Sequence, residues 1–114
     1  MVSYRLSRPA QADVMRILAT SNARWGIEAR RRYAATLATA MRYVAADPEA
    51  AISHDRGDML RGLRSLHPRH ARGEGTENRV SRPVHILYCR SIRPGLVEIV
   101  RILHERMDPR RHLG

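Results

Sequence analysis

The groups in this chain that could do chemistry are mostly arginines. All 21 basic residues are arginine, and lysine is absent. In the later part of the sequence, Arg64, Arg90, Arg101, His104, Arg106 and His112 could together form a cluster that holds phosphate. Arg64, Arg90 and Arg101 lie on three separate strand-like segments, so adjacent strands could bring all three to one face as a binding surface. Ion pairing with Glu98, Asp55 or Asp58 is the plainer use of the same arginines. Other constellations are weak. His67 and His70 have no cysteine or carboxylate at ligand spacing, and Pro68 breaks the local geometry, so no metal site is expected. The single cysteine, Cys89, cannot close an internal disulfide and reads as a small hydrophobe in an apolar strand, not as a nucleophile. Nothing orders serine, histidine and aspartate into a triad, and no glycine-rich phosphate loop occurs. The residues themselves therefore point to no catalytic group and no cofactor.

The elements that must position these groups fit in one domain spanning 1–114. Apolar residues make up 43% of the chain, with no Phe and one Trp, so a single-layer core of aliphatic side chains is expected. No apolar run approaches the ~20 residues of a membrane span. The first dozen residues are too polar for a signal peptide, and the lone cysteine suits a reducing compartment, so the expected location is cytoplasmic. The formal net charge is +10. Residues 1–46 and 84–114 carry most of it, interleaved with apolar positions rather than gathered in a detachable tail. Such a balance suggests an acidic partner, either nucleic acid or protein. Codon usage in a GC-rich genome also favours arginine over lysine with no functional cause.

Val2–Leu6 alternates at period two and reads as a strand. Ser7 stands where a helix N-cap belongs, and Pro9 is tolerated in a first turn. Val14, Met15, Leu18 and Ala19 recur at helical spacing to about Ala23. Trp25-Gly26 then punctuates the pattern, and Trp25 reads as a plug of the core. From Ile27 a second helix places Tyr33, Leu37, Met41 and Val44 on one face until Asp47-Pro48 stops it. Arg30, Arg31 and Arg32 fit its solvated face. Residues 50–61 look irregular. Gly62–His67, Val84–Arg90 and Leu96–Leu103 read as strands, with a long polar surface loop over 69–83. The order is an α+β arrangement, βααβββ, with a helical hairpin on one face of a mostly antiparallel sheet.

Several stretches in this order resemble the ParE toxins of bacterial type II toxin–antitoxin systems, within the ParE/RelE superfamily. They are Tyr4–Ala10 with Asp13 and Ile17, then Arg24-Trp25-Gly26, Ala46-Asp47-Pro48 and Gly62–Leu66. Leu87–Arg90 and Val97–Asp108 complete the set. The resemblance implies a RelE-like fold and a toxin that binds and stalls DNA gyrase, neutralised by a ParD-like antitoxin. The related RelE branch cleaves mRNA on the ribosome, which requires an acid or base near the 2′-OH and cations around the scissile phosphate. Here no tyrosine lies beyond Tyr88, which favours the gyrase-directed branch. His104 keeps the ribonuclease alternative open, although a strand-end histidine bonded to backbone is the plainer reading. A non-toxic basic module that binds nucleic acid is the third reading.

The expected target-binding residues are Arg64, Arg90, Arg101, His104 and Arg106. An apolar groove flanked by arginine on the helical hairpin suits an amphipathic acidic segment. The resemblance implies that the acidic C-terminal region of the antitoxin folds onto the toxin there in a hetero-oligomer. The expected contacts are Leu18, Asn22, Tyr33, Leu37 and Met41, although for Leu18 and Leu37 a place in the core is the plainer reading.

Overall fold

A computed structural model describes residues 3–50, 52–70 and 83–113. Strand β1 (Ser3–Leu6) leads into helix α1 (Arg8–Trp25). Ser7 makes the junction. Its hydroxyl accepts the Ala10 N–H at 3.1 Å and caps the helix, while its own N–H still bonds the Ile99 carbonyl at 3.0 Å. Gly26, at φ 90°, separates α1 from α2 (Ile27–Ala46), a conformation that a side chain would strain. The Gly26 N–H closes α1 on the Asn22 carbonyl.

Strands β2 (His54–Asp55), β3 (Arg64–Leu66), β4 (His85–Arg93) and β5 (Leu96–His104) follow, with a short helix α3 (Arg110–Leu113) after them. The sheet order is β1-β5-β4-β3-β2. Only β1 runs parallel to its neighbour; the other pairs are antiparallel. The α+β reading therefore holds, with two additions. Residues 50–61, expected to be irregular, contain β2, whose two residues pair with Ser65 and Arg64; two residues are too few to show alternation. The tail turns into α3. Of the expected surface loop, residues 71–82 lie outside the described residues, and Pro68–His70 form a 3₁₀ turn.

The core differs from the single layer that composition suggests. One cluster lies between the sheet and the helices, and includes Ile17, Leu37, Val44, Leu66, Leu87 and Ile99. A second, built on Leu63, Tyr88 and Leu103, lies on the opposite face beneath Met59, Leu60 and Leu113. The strands β4 and β5 carry apolar residues on both faces, and the turns before β3 together with α3 cover the second one. A bulge in β5 helps: Tyr88 pairs with Arg101 and Cys89 with Ile99, so Val100 is the extra residue and joins the second cluster. Cys89 is buried in the first cluster, and burial pushes its thiol up to about 11.

Trp25 is the clearest departure from expectation. It is 75% exposed rather than a core plug. It is the last residue of α1, at the junction with Gly26. Among the described residues, no helix is long and apolar enough to cross a membrane.

Candidate functional site

Strand β1 covers β5 only from Leu96 to Ile99. Beyond that point the β5 edge would present unpaired backbone groups, and α1 supplies side chains to meet them. The Ser7 hydroxyl donates to the Val100 carbonyl at 2.7 Å. The fully buried Asp13 carboxylate accepts the Ile102 N–H at 2.9 Å. Arg101 grips that carboxylate with two bonds, from Nε at 2.8 Å and Nη2 at 2.9 Å, and Arg16 adds a third at 2.6 Å. Burial pushes the Asp13 carboxyl up, but Arg101, the Ile102 N–H and Arg16 together outweigh it and hold the group below its ordinary value.

Past this ion pair a cleft of about 560 Å³ opens between the end of α1, the start of α2 and the His85–His104 end of the β4–β5 ladder. Its chemistry comes from Arg24, Trp25, Tyr33, His85, His104 and Arg106. The Tyr33 oxygen accepts the Val84 N–H at 3.1 Å, so the phenol proton is available to His85 Nδ1 at 2.5 Å. Neutral His85 then carries its own proton on Nε2. Burial, followed by the neighbouring His104, lowers the His85 pKa to about 4, so this imidazole stays neutral near pH 7. The rings of His85 and His104 meet edge-on at 5.4 Å. His104 Nδ1 accepts the Arg106 N–H at 3.1 Å, the backbone bond of a strand-end histidine.

The three sheet arginines do not meet. Arg64 pairs with Cys89, so it stands on the helix face, where it donates to the Ser53 hydroxyl at 2.9 Å and the Ser53 carbonyl at 3.2 Å. Arg90 and Arg101 stand on the other face. Arg90 is joined to Glu98 at 3.3 Å, and Arg5 reaches the same carboxylate at 3.2 Å. Arg101 belongs to Asp13. Residue parity around the adjacent Cys89 and Arg90 explains the split, because neighbours in a strand point to opposite faces. Of the five expected target-binding residues, only His104 and Arg106 share the cleft.

The hairpin residues also divide. Leu18, Leu37 and Met41 line a shallow groove of about 190 Å³ with Tyr4, Leu6 and Val14. Within it, Leu37 and Met41 are buried in the core, while Leu18 is half-buried. Asn22 is exposed on α1, and Tyr33 faces the cleft instead of the groove.

The family described as "ParE toxin of type II toxin-antitoxin system, parDE" matches this chain over residues 4–109. The chain belongs to the ParE toxin family. A curated relative named Toxin ParE1 from Caulobacter vibrioides is 35% identical over 115 residues, covering 100% of both chains. Proteins of the same name from two Mycobacterium tuberculosis strains are 31% identical over 110 residues, covering 96% of each chain. A solved structure described as the chromosomal ParDE TA system from P. aeruginosa shares the fold. Its TM-score is 0.64 at 18% identity, over 91% of this chain and 96% of that one.

In this ParE-family chain, sequence reasoning missed Arg16, Arg24 and His85 and gave Trp25 the wrong role. The Arg24-Trp25-Gly26 run was visible as a helix end, and a tryptophan at such an end is the one local signal available. Tyr33 and His85 are far apart in sequence, and only the packing of α2 on β4 joins them.

Proposed function

We propose that this toxin acts by binding DNA gyrase and stalling it, without catalysing a reaction of its own, and that a ParD-like antitoxin neutralises it in the cytoplasm. The observation that carries the reading is the family match over residues 4–109, together with full-length relatives named as ParE toxins. The chain acts as one domain over 1–114. In this reading the acidic C-terminal segment of the antitoxin lies along the hairpin groove at Leu18, Leu37 and Met41 and continues past Asn22 to Tyr33. The +10 net charge supports an acidic partner of that kind. The target side is the His104 and Arg106 end of the sheet. Arg64, Arg90 and Arg101, the other expected target-binding residues, bond Ser53, Glu98 and Asp13 and lie outside that cleft.

Induced expression in a bacterial host tests this. The expected outcome is filamentation, DNA-damage signalling and gyrase trapped on cleaved DNA, suppressed by co-expression of the neighbouring antitoxin frame. Rapid translational arrest with cut mRNA would overturn the gyrase reading in favour of a ribonuclease. Growth without any effect would leave a non-toxic basic module.

A further inference from the structure

The 560 Å³ cleft at the hairpin tip holds positive charge that the fold does not use. None of its lining residues, all among the described residues, is acidic. Arg16 is tied to Asp13, and Glu105, which directly follows β5, is engaged by His67 at 2.9 Å. Arg24 and Arg106 have no side-chain partner among the described residues, although both line the same cleft. An indole that is three-quarters exposed stands beside them. Leaving an aromatic of that size in water serves no packing purpose.

Two unpaired guanidinium groups and one open aromatic face are what a nucleotide requires. The guanidinium forks take a phosphate, and the ring takes a base. The cleft is within the ~300–1,000 Å³ of ordinary small-ligand sites. Its floor is made of the Tyr33, His85 and His104 rings, with His85 bonded to the Tyr33 hydroxyl and His104 accepting the Arg106 backbone N–H. That floor is polar enough for sugar and base edges and adds no competing anion.

We propose that this cleft binds a nucleotide unit, with its phosphate on Arg24 and Arg106 and its base against Trp25. The inference deepens the gyrase reading, because gyrase is met together with its DNA, but the binding is measured on the free chain and stands or falls separately from toxicity.

Trp25 is the only tryptophan in the chain, so its fluorescence reports the site directly. The purified full chain is titrated with three probes: a thymidine mononucleotide, an oligothymidylate of about ten nucleotides, and a glutamate–leucine peptide. Quenching by the oligonucleotide is expected. If the mononucleotide quenches equally well, the ligand is a free nucleotide; if only the oligonucleotide does, it is a strand. Both results support the site. Quenching by the peptide alone, or by none of the probes, overturns it.

Two double variants separate the site from bulk charge. Arg24→Ala with Arg106→Ala should weaken oligonucleotide binding about tenfold or more. Arg42→Ala with Arg93→Ala removes two charges from the opposite end of the sheet and should weaken it much less. Equal losses in the two would mean diffuse attraction to a basic protein and would overturn the proposal. With a labelled oligonucleotide, Trp25→Ala should lose about fivefold or more, the stacking contribution of one base. An unchanged affinity there would also overturn it.

Discussion

Two groups of charge lie side by side where α1 passes the end of β5, and they are built on opposite terms. At Asp13 every polar atom is used. The carboxylate is buried, takes the Ile102 N–H, and is clamped by Arg101 and Arg16. In the adjoining cleft, Arg24 and Arg106 have no partner among the described residues, and Trp25 stands open. Arg16 belongs to both groups, so the difference is not one of location. A satisfied cluster does the work of a missing strand, while the unsatisfied one has no structural task. The contrast teaches that an arginine count says little about binding until each guanidinium has been traced to its partner.

The largest expected effect tests the satisfied side. Asp13→Ala strands Arg101 and leaves the Ile102 N–H without an acceptor, and removal of one partner from a buried pair costs about 3–5 kcal/mol. Urea melts of Asp13→Ala, Arg101→Ala and the double variant would show it as a coupling between the two sites. A loss below about 1 kcal/mol would break the comparison, because it would put Asp13 on the same footing as a surface ion pair.

The next effect concerns pH. The unfolded chain protonates His85 near 6.5, while the folded chain resists until about 4. Protons therefore favour the unfolded state in that window. Stability should fall as pH drops from 6.5 towards 4, by up to about 3 kcal/mol. Asp13 adds a second loss at more acidic pH, since its carboxyl is depressed when folded and its stabilisation disappears once it is protonated. Thermal melts across pH 4–7 should show a shallower slope in His85→Gln. An identical slope would remove His85 from the argument.

Tyr33→Phe should cost about 1–3 kcal/mol, because the half-buried Val84 N–H and His85 Nδ1 both lose their partner. The smallest effects sharpen the other side. Arg24→Ala and Trp25→Ala should each change stability by no more than about 0.5 kcal/mol, as for ordinary surface positions. A large loss in Trp25→Ala would show that the indole packs after all, and the cleft would then resemble the Asp13 cluster.

Much of the fold was legible because its signals are local. Ser7 with Pro9, Gly26, and Asp47-Pro48 mark the helix ends by capping and backbone restriction. The alternation in β4 and β5 gave their location, but not the bulge at Val100, which slips the faces of β5 by one residue. Arg64, Arg90 and Arg101 could be assigned to three strands but not to faces, because the β3–β4 register that sets Arg64 against Cys89, opposite in face to Arg90, is not a local signal. The cleft was half legible. His104 and Arg106 stood in a recognisable motif, whereas His85 looked like any strand residue until α2 set Tyr33 against it.

The sequence by itself determined the order of the longer elements, the helical hairpin and the likeness to ParE toxins, since capping residues, period and motif order act over a few neighbouring positions. Only the tertiary structure decided which charges are spent and which are free. Asp13 and Arg101 are 88 positions apart, and Tyr33 and His85 are 52 apart. Such pairs form when a helix packs across strands whose edge groups lack other partners, and no local pattern encodes that meeting. The same packing buries Leu37, leaves Trp25 in solvent, and separates arginines that hold the fold from those available to a ligand.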